Sequence, residues 1–340
     1  MNIIETEYQS SKSAIGANNP NFDIVVVGEL NMDIIMDRVN RLPEIGKERI
    51  AMSMFITLGS SSAILASNAS SLGLNVAFIG RVGNDIFGKQ ITHILDGRGL
   101  DVMSIITSEK LQTGLTFIYT YENDRGMITY PGAMEEMTIK DIDWEKVRAS
   151  RHLHMSSYYL QKGIRPDCLE LFKRAKALGL GTSLDTNWDP DENWGEELYE
   201  VLKYVDVFLP NDAEAKLISK KKRLDDALAH LASFGSIVVA TCGSEGVIAR
   251  AGDTVYHVSA IKVTPVDAVG AGDSFSAGFL KNYVGGLDLR ACLELGVTTG
   301  AYSTLKSGGT AAFEDMDSFQ LFFDKVKSQI NITVTNISII

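Results

Sequence analysis

Cysteine is scarce. The 340 residues hold three, Cys168, Cys242 and Cys292, with no CxxC spacing among them. That excludes a disulfide scaffold and predicts reduced thiols in a cytoplasmic protein. The five histidines show no HExxH or other ligand spacing, so no transition-metal site is expected. No apolar run reaches transmembrane length, and 1–21 has neither a basic start nor an apolar stretch. Neither a membrane partner nor a secretion signal is expected. Basic charge is also short: 32 Lys and Arg against 43 Asp and Glu, a net charge of −11. A nucleic-acid partner would need a basic face and is not expected. An anionic nucleotide stays open, because backbone amides and Mg²⁺ can carry phosphate.

What is abundant is glycine next to acid. The segment Asp267-Ala268-Val269-Gly270-Ala271-Gly272-Asp273 runs directly into Ser274-Phe275-Ser276-Ala277-Gly278-Phe279-Leu280. Gly270 and Gly272 leave the backbone amides around Ala271 open to an anion. The following apolar spacing predicts a helix, whose N-terminal amides and dipole favour negative charge. Asp273 falls in the first turn, placed to take the proton of an attacking hydroxyl.

Short apolar runs alternate with helical patterns along the chain. Strands are expected at Asp23–Val27, Val76–Ile79, His152–Met155, Thr182–Asp185, Val205–Leu209 and Ile237–Thr241. Helices are expected at Pro166–Leu178, Leu224–Phe234, Asp273–Val284 and Leu287–Ser303. This order predicts an α/β fold with a mainly parallel central sheet flanked by helices. Arg49–Leu58 and Leu115–Tyr130, broken by the turn 122–126, instead alternate with period two. They predict a small antiparallel sheet with one apolar face, projecting as a lid. Such a face often pairs between subunits, so a homodimer through the lid is an expectation.

Further polar groups fall at expected strand ends, where open α/β sheets bind ligands. Asn31 and Asp33 follow the first strand and suit a polyol. Asn211 and Glu214, three residues apart at a helix start, can order Mg²⁺ and its waters. Thr241-Cys242-Gly243-Ser244-Glu245-Gly246 offers two hydroxyls and a close backbone approach. Gly83–Gln90 nearly spells a P-loop, but Gln90 lacks the Mg²⁺-binding hydroxyl and Ile86 and Phe87 crowd the loop.

These segments, in this order, resemble the ribokinase-like (PfkB) carbohydrate kinase family over roughly residues 23–330. Asp267–Asp273 resembles its Asp-Thr-x-Gly-Ala-Gly-Asp signature, with Ala268 for Thr. Gly59-Ser60-Ser61-Ser62-Ala63-Ile64 resembles its Gly-Gly-x-x-x-Asn signature, with Ser60 and Ile64 as departures. Asn211–Glu214 matches Asn-x-x-Glu. The resemblance implies Asp273 as base and Gly270, Ala271 and Gly272 as anion hole. It implies a sugar held by Asn31, Asp33, Gly59 and Ser60. ATP would be held by Asn211, Glu214, Thr241, Gly243, Ser244, Gly246 and Gly308. Mg²⁺ would sit at Glu214 through water, and K⁺ at Asp267. Asp185-Thr186-Asn187-Trp188-Asp189 resembles Asp-x-Asn-x-Arg with Asp189 for Arg, and the Gly59 loop lacks a lysine. Both departures suggest a neutral sugar or a nucleoside. The expected division is 1–21 as a loose extension; 22–40, 60–112 and 134–330 as core; 41–59 and 113–133 as lid; and 331–340 as a C-terminal tail. Three alternatives stand beside a sugar kinase: a nucleoside kinase of the same family; a catalytically silent sugar sensor on the same fold, motivated by the altered Gly59–Ile64 loop; and a nicotinamide oxidoreductase, disfavoured because no GxGxxG follows the first strand.

Overall fold

The computed structural model describes residues 20–122 and 124–337. The expected N-terminal extension lies outside them except for Pro20 and Asn21.

Fourteen strands form two sheets among the described residues. The large sheet holds β1 (Ile24–Val27), β4 (Val76–Gly83), β5 (Asp101–Ser108), β8 (His152–Met155), β9 (Gly181–Leu184), β10 (Val207–Phe208), β11 (Ile237–Thr241), β12 (Val247–Ala251), β13 (Thr254–Val258) and β14 (Ile332–Asn336). Its order is β14-β13-β12-β11-β10-β9-β8-β1-β4-β5. All pairings from β11 to β5 are parallel, while β12, β13 and β14 add an antiparallel edge.

β1 shows why the parallel part is buried. Ile24 and Val26 join one core with the helices Ser61–Ser71, Ala271–Val284 and Leu289–Ser303. Val25 and Val27 join a second core with Cys168–Ala177 and Leu224–Ala232 on the other face. A strand covered on both sides must be apolar throughout, which is how Ile24–Val27 reads.

The small sheet has the order β3-β2-β6-β7, built from β2 (Asn31–Asp37), β3 (Ser53–Leu58), β6 (Gly114–Tyr121) and β7 (Asp124–Tyr130). Three expectations change here. Asn31 and Asp33 lie in β2, a central lid strand, rather than in a core turn. The sheet is also not wholly antiparallel: β2 and β6 run parallel. They continue from β1 and β5, which are themselves parallel through β4, so both enter the lid in the same direction. Third, the expected tail 331–340 contains β14, whose Ile332–Asn336 pairs with β13. Its run of β-branched residues, alternately apolar and hydroxyl-bearing, gives it strand character. Gly252-Asp253 forms the two-residue turn of the β12–β13 hairpin, between Ala251 and Thr254.

Candidate active site

One cavity of ≈ 840 Å³ opens between the two sheets, at the C-terminal ends of the parallel strands. Each element contributes only a few residues. The link after β1 gives Glu29, and β2 gives Asn31 and Asp33. The start of Ser61–Ser71 gives Ser60 and Ser61. The loops after β8 and β9 give Ser157, Asp185 and Asn187. The helix after β10 brings Asn211 and Glu214, and β11 ends on Thr241. Ala268–Asp273 forms the opposite wall, and the lid covers it with Thr116, Ile118, Arg125, Met127 and Thr129.

The glycine-flanked helix start forms as expected. Gly270 precedes the helix Ala271–Val284 with φ 72°, a left-handed conformation that favours glycine. A side chain there would also meet Gly309 Cα at 2.6 Å. The first-turn amides of Gly272 and Asp273 lack partners further back in the helix, and that of Ala271 makes only a long bond to the Ala268 carbonyl at 3.4 Å, so this wall can take an anion.

Asn31 Nδ2 donates to Asp33 Oδ1 at 2.9 Å and to Thr116 Oγ1 at 3.1 Å, fixing both groups on the pocket side of the lid. Gly59 does not line the cavity itself. It backs Asp33, and a Cβ there would run into the Asp33 carboxylate. Ser60 takes φ 69° where the resembled signature has glycine, and its Oγ caps the helix by accepting from Ala63 N at 3.0 Å. Ile64 fills its place against Gly270 and Gly309. One turn on, Asn68 donates to Ser274 Oγ and to the Gly309 carbonyl, both at 2.9 Å, and ties the two helices together.

The carboxylates crowd one another. Burial pushes Asp273 up to about 7, with Glu29 adding to it and hydrogen bonding from Ser61 and the charge of Arg125 opposing it. Burial and then Asp273 push Asp33 up to about 7, against the Asn31 amide. Burial holds Asp185 well above the usual carboxylate range, with Glu214 and Asp273 adding to it. Burial likewise raises Glu214 to about 7. Seven acids (Glu29, Asp33, Glu135, Asp185, Asp212, Glu214 and Asp273) face two cations, Arg125 and Lys162.

That excess of negative charge fits a divalent cation brought in with phosphate. Glu214 is tied to Asn211, accepting from its N at 3.0 Å and its Nδ2 at 2.6 Å. No group of three acidic, histidine or cysteine side chains among the described residues is close enough to chelate a bare ion. An ion here would therefore keep waters and phosphate oxygens as ligands, as Mg²⁺ does.

Other expected contacts fall outside the cavity lining. Gly246, at φ 104°, accepts from Cys242 N at 2.8 Å and closes the turn that holds Ser244. Asp267 accepts from Val269 N and Gly308 N at 2.9 Å and from Ser307 Oγ at 3.3 Å, clasping two loops together. Asp189 corrects an inference. It is 1% exposed and accepts from the backbone of Asp191, Asn193 and Trp194, so its charge does not face the pocket.

Glu29 was inside the motif around Asn31, and Asn187 inside the one around Asp185. Their roles needed their neighbours. Ser157, Asn68 and Arg125 carried no signal.

A model of the pfkB family carbohydrate kinases matches residues 21–316. The chain belongs to the PfkB carbohydrate kinase family. As a PfkB kinase it is a phosphotransferase that uses ATP and an alcohol acceptor. A ribokinase of Lactococcus lactis is 28% identical over 290 residues, 84% of this chain and 91% of its own. A nucleoside kinase of Methanothermobacter thermautotrophicus is 29% identical over 273 residues, 79% of this chain and 85% of its own. Arabidopsis thaliana ribokinase, solved with ribose and ATP, superposes with a TM-score of 0.75 at 24% identity, covering 88% of this PfkB kinase and 98% of its own chain. Sinorhizobium meliloti adenosine kinase superposes with a TM-score of 0.78 at 23% identity, covering 88% and 99%. These likenesses establish the ribokinase-like fold.

Proposed function

We propose that this kinase transfers the γ-phosphoryl group of ATP to a primary hydroxyl of an uncharged sugar. One observation carries the reading: Asp273, at the glycine-flanked helix start, shares a cavity with the Asn31–Asp33 pair. Asp33 and Asn31 hold the sugar hydroxyls, one accepting and one able to donate and accept. Asp273 takes the proton of the hydroxyl as its oxygen bonds to the γ-phosphorus. The bond from that phosphorus to the β-phosphate bridging oxygen breaks, leaving ADP, sugar phosphate and one proton. Amides of residues 270–272 meet the negative charge of the transferring group. Mg²⁺, when bound with ATP beside Glu214 and Asn211, neutralises phosphate charge. Thr241 and Gly243 lie on the nucleotide side. K⁺ belongs to this reading only beside the Asp267–Gly308 clasp, and exchanging it for tetramethylammonium measures its part.

The uncharged substrate rests on the acids beside Asn31 and on the absence of lysine in the Gly59–Ile64 loop, since Asp189 no longer contributes. The lid closes over the sugar and excludes water, a competing acceptor. Its outer face exposes Met54 (54%), Ile56 (51%) and Ile128 (66%), and a second copy would cover it. Sedimentation tests this pairing, and a monomer at micromolar concentration rejects it. The scarce cysteines and acidic charge support residence in the cytoplasm.

A second reading, nucleoside kinase, is favoured by Trp188, Leu160 and Pro190 on the rim, an apolar wall suited to a base. An ADP-release screen over neutral sugars, nucleosides, ketoacid sugars and sugar phosphates decides. A neutral sugar is expected to lead. A charged sugar turning over faster than every neutral acceptor overturns the reading, and no turnover with any acceptor returns the silent sensor.

A further inference from the structure

Two residues deep in the cavity hold a backbone conformation that side chains other than glycine rarely adopt. Ser157, just after β8, has φ 54°, and Asn187, just after β9, has φ 53°. Backbone held this way costs free energy and persists where the surroundings enforce it, often at functional sites. Here the two residues meet. Asn187 Nδ2 donates to Ser61 Oγ at 2.6 Å and to Ser157 Oγ at 2.8 Å. Ser157 Oγ donates to Glu29 Oε1 at 2.8 Å. Ser61 and Asp273 line the same cavity, and hydrogen bonding from Ser61 lowers the proton affinity of Asp273. Asn187 is itself set by its own backbone N, which donates to Asp185 Oδ1 at 2.9 Å.

The donor count fixes the direction. Each serine has one proton, and each adjoins a carboxylate that can only accept when ionised. An amide NH₂ has two protons and satisfies both serine oxygens at once. A carbonyl in its place would draw both serine protons away from Glu29 and Asp273.

We propose that Asn187 is a positioning residue for phosphoryl transfer, orienting the Ser61 hydroxyl so that it donates to Asp273. One lone-pair direction of the carboxylate is then occupied, and its rotation is restricted. Another lone pair is left for the substrate hydroxyl. Glu29, fully enclosed, anchors the far end through Ser157 and through Ser62, whose Oγ donates to Oε2 at 2.5 Å. This inference rests on Asp273 as the base, and the arrangement joins it to loops from three other elements.

Asn187→Gly is the clean test, because glycine accepts φ 53° and deletes only the amide. It should lower kcat by about 10- to 100-fold while calorimetric Kd values for sugar and ATP stay within about twofold. Ser61→Ala should do the same, and the double variant should lose no more than the worse single. Asn187→Asp keeps size and turn preference but cannot donate, so it should be at least as slow as Asn187→Gly. A fast Asn187→Asp enzyme would show that the side chain only fills space and would overturn the proposal. So would losses that multiply in the double variant, or a weakened sugar Kd with kcat intact. The same cycle in urea needs no catalysis. Coupling there without coupling in kcat means that the relay exists but Asp273 is not the base it serves, which also overturns the proposal. If both cycles couple while Asp273→Asn stays active, the base reading alone has failed.

Discussion

Two enclosed polar clusters in this molecule are opposites. Under the cavity, His152 Nε2 meets Ser183 Oγ at 2.7 Å, Ser183 Oγ meets His154 Nδ1 at 2.8 Å, and His154 Nε2 meets Ser156 Oγ at 2.7 Å. Both rings are neutral: burial lowers His152 to about 4 and His154 to about 3. The chain is satisfied and carries no charge. In the cavity, burial first and then repulsion among the acids raise the proton affinity of Asp33, Asp185, Glu214 and Asp273, and the charge of Arg125 only partly offsets this at Asp33 and Asp273. Burial of polar groups alone therefore says little about function. Satisfied groups make a specific core, whereas acids held against their own repulsion mark a place built for a ligand that brings the missing charge.

The sharpest way to break this contrast is Asp273→Asn. In the cavity it should cost about 10²–10⁴ in kcat with little change in sugar affinity. Turnover within threefold of the wild type would remove Asp273 from the chemistry. Next, Asp33→Ala should weaken sugar binding by about 10- to 100-fold, since sugar hydroxyls lose their acceptor, and ATP binding far less. Equal losses for both ligands by calorimetry would place Asp33 outside the sugar site. Ser183→Ala should behave in the reverse way. It leaves two ring nitrogens without a partner and should cost about 1–3 kcal/mol in urea unfolding, with kcat within about twofold. A stable but slow variant would mean that the histidine chain is not merely structural.

The smallest effect is in pH, where the clusters pull in opposite directions. Asp33 and Asp273 rise from 3.8, and Glu214 from 4.5, each to about 7. The folded state thus binds their protons more tightly. Their stabilising contribution is complete below about 4 and is lost as pH rises through about 7. The histidines, lowered from 6.5, contribute above about 6.5 and lose it as pH falls toward 4 and 3. In melts of the ligand-free protein, the Tm of Asp273→Asn relative to wild type should climb from pH 4 to 7 and then level. That of His154→Gln should climb as pH falls below about 6.5. Parallel traces for the two variants would dissolve the distinction.

Legibility followed how local each signal was. The continuously apolar β1 and β11, the hydroxyl and amide residues at strand ends, and the Gly270–Asp273 turn were readable because short stretches of chain suffice to state them. Asn31 and Asp33 were read as a sugar-holding pair but placed at the exit of β1, because a strand three residues beyond β1 looks like its exit loop. The C-terminal Ile332–Asn336 alternation was present but had no visible partner until β13 lay beside it. Asp189 shows the opposite failure. Its identity suggested repulsion of a charged substrate, yet its carboxylate is spent on three backbone amides of its own loop.

The sequence by itself determined the α/β class, the glycine-flanked helix start and the residue types of a phosphoryl-transfer site, because periodicity and turn chemistry act over a few residues. Only the tertiary structure decided which acids share a field, that Asn187 reaches Ser61 126 positions away, and that Arg125 faces the same cavity from the lid. Electrostatic coupling and hydrogen bonding depend on separation in space, and that separation is set by how the two sheets close on each other.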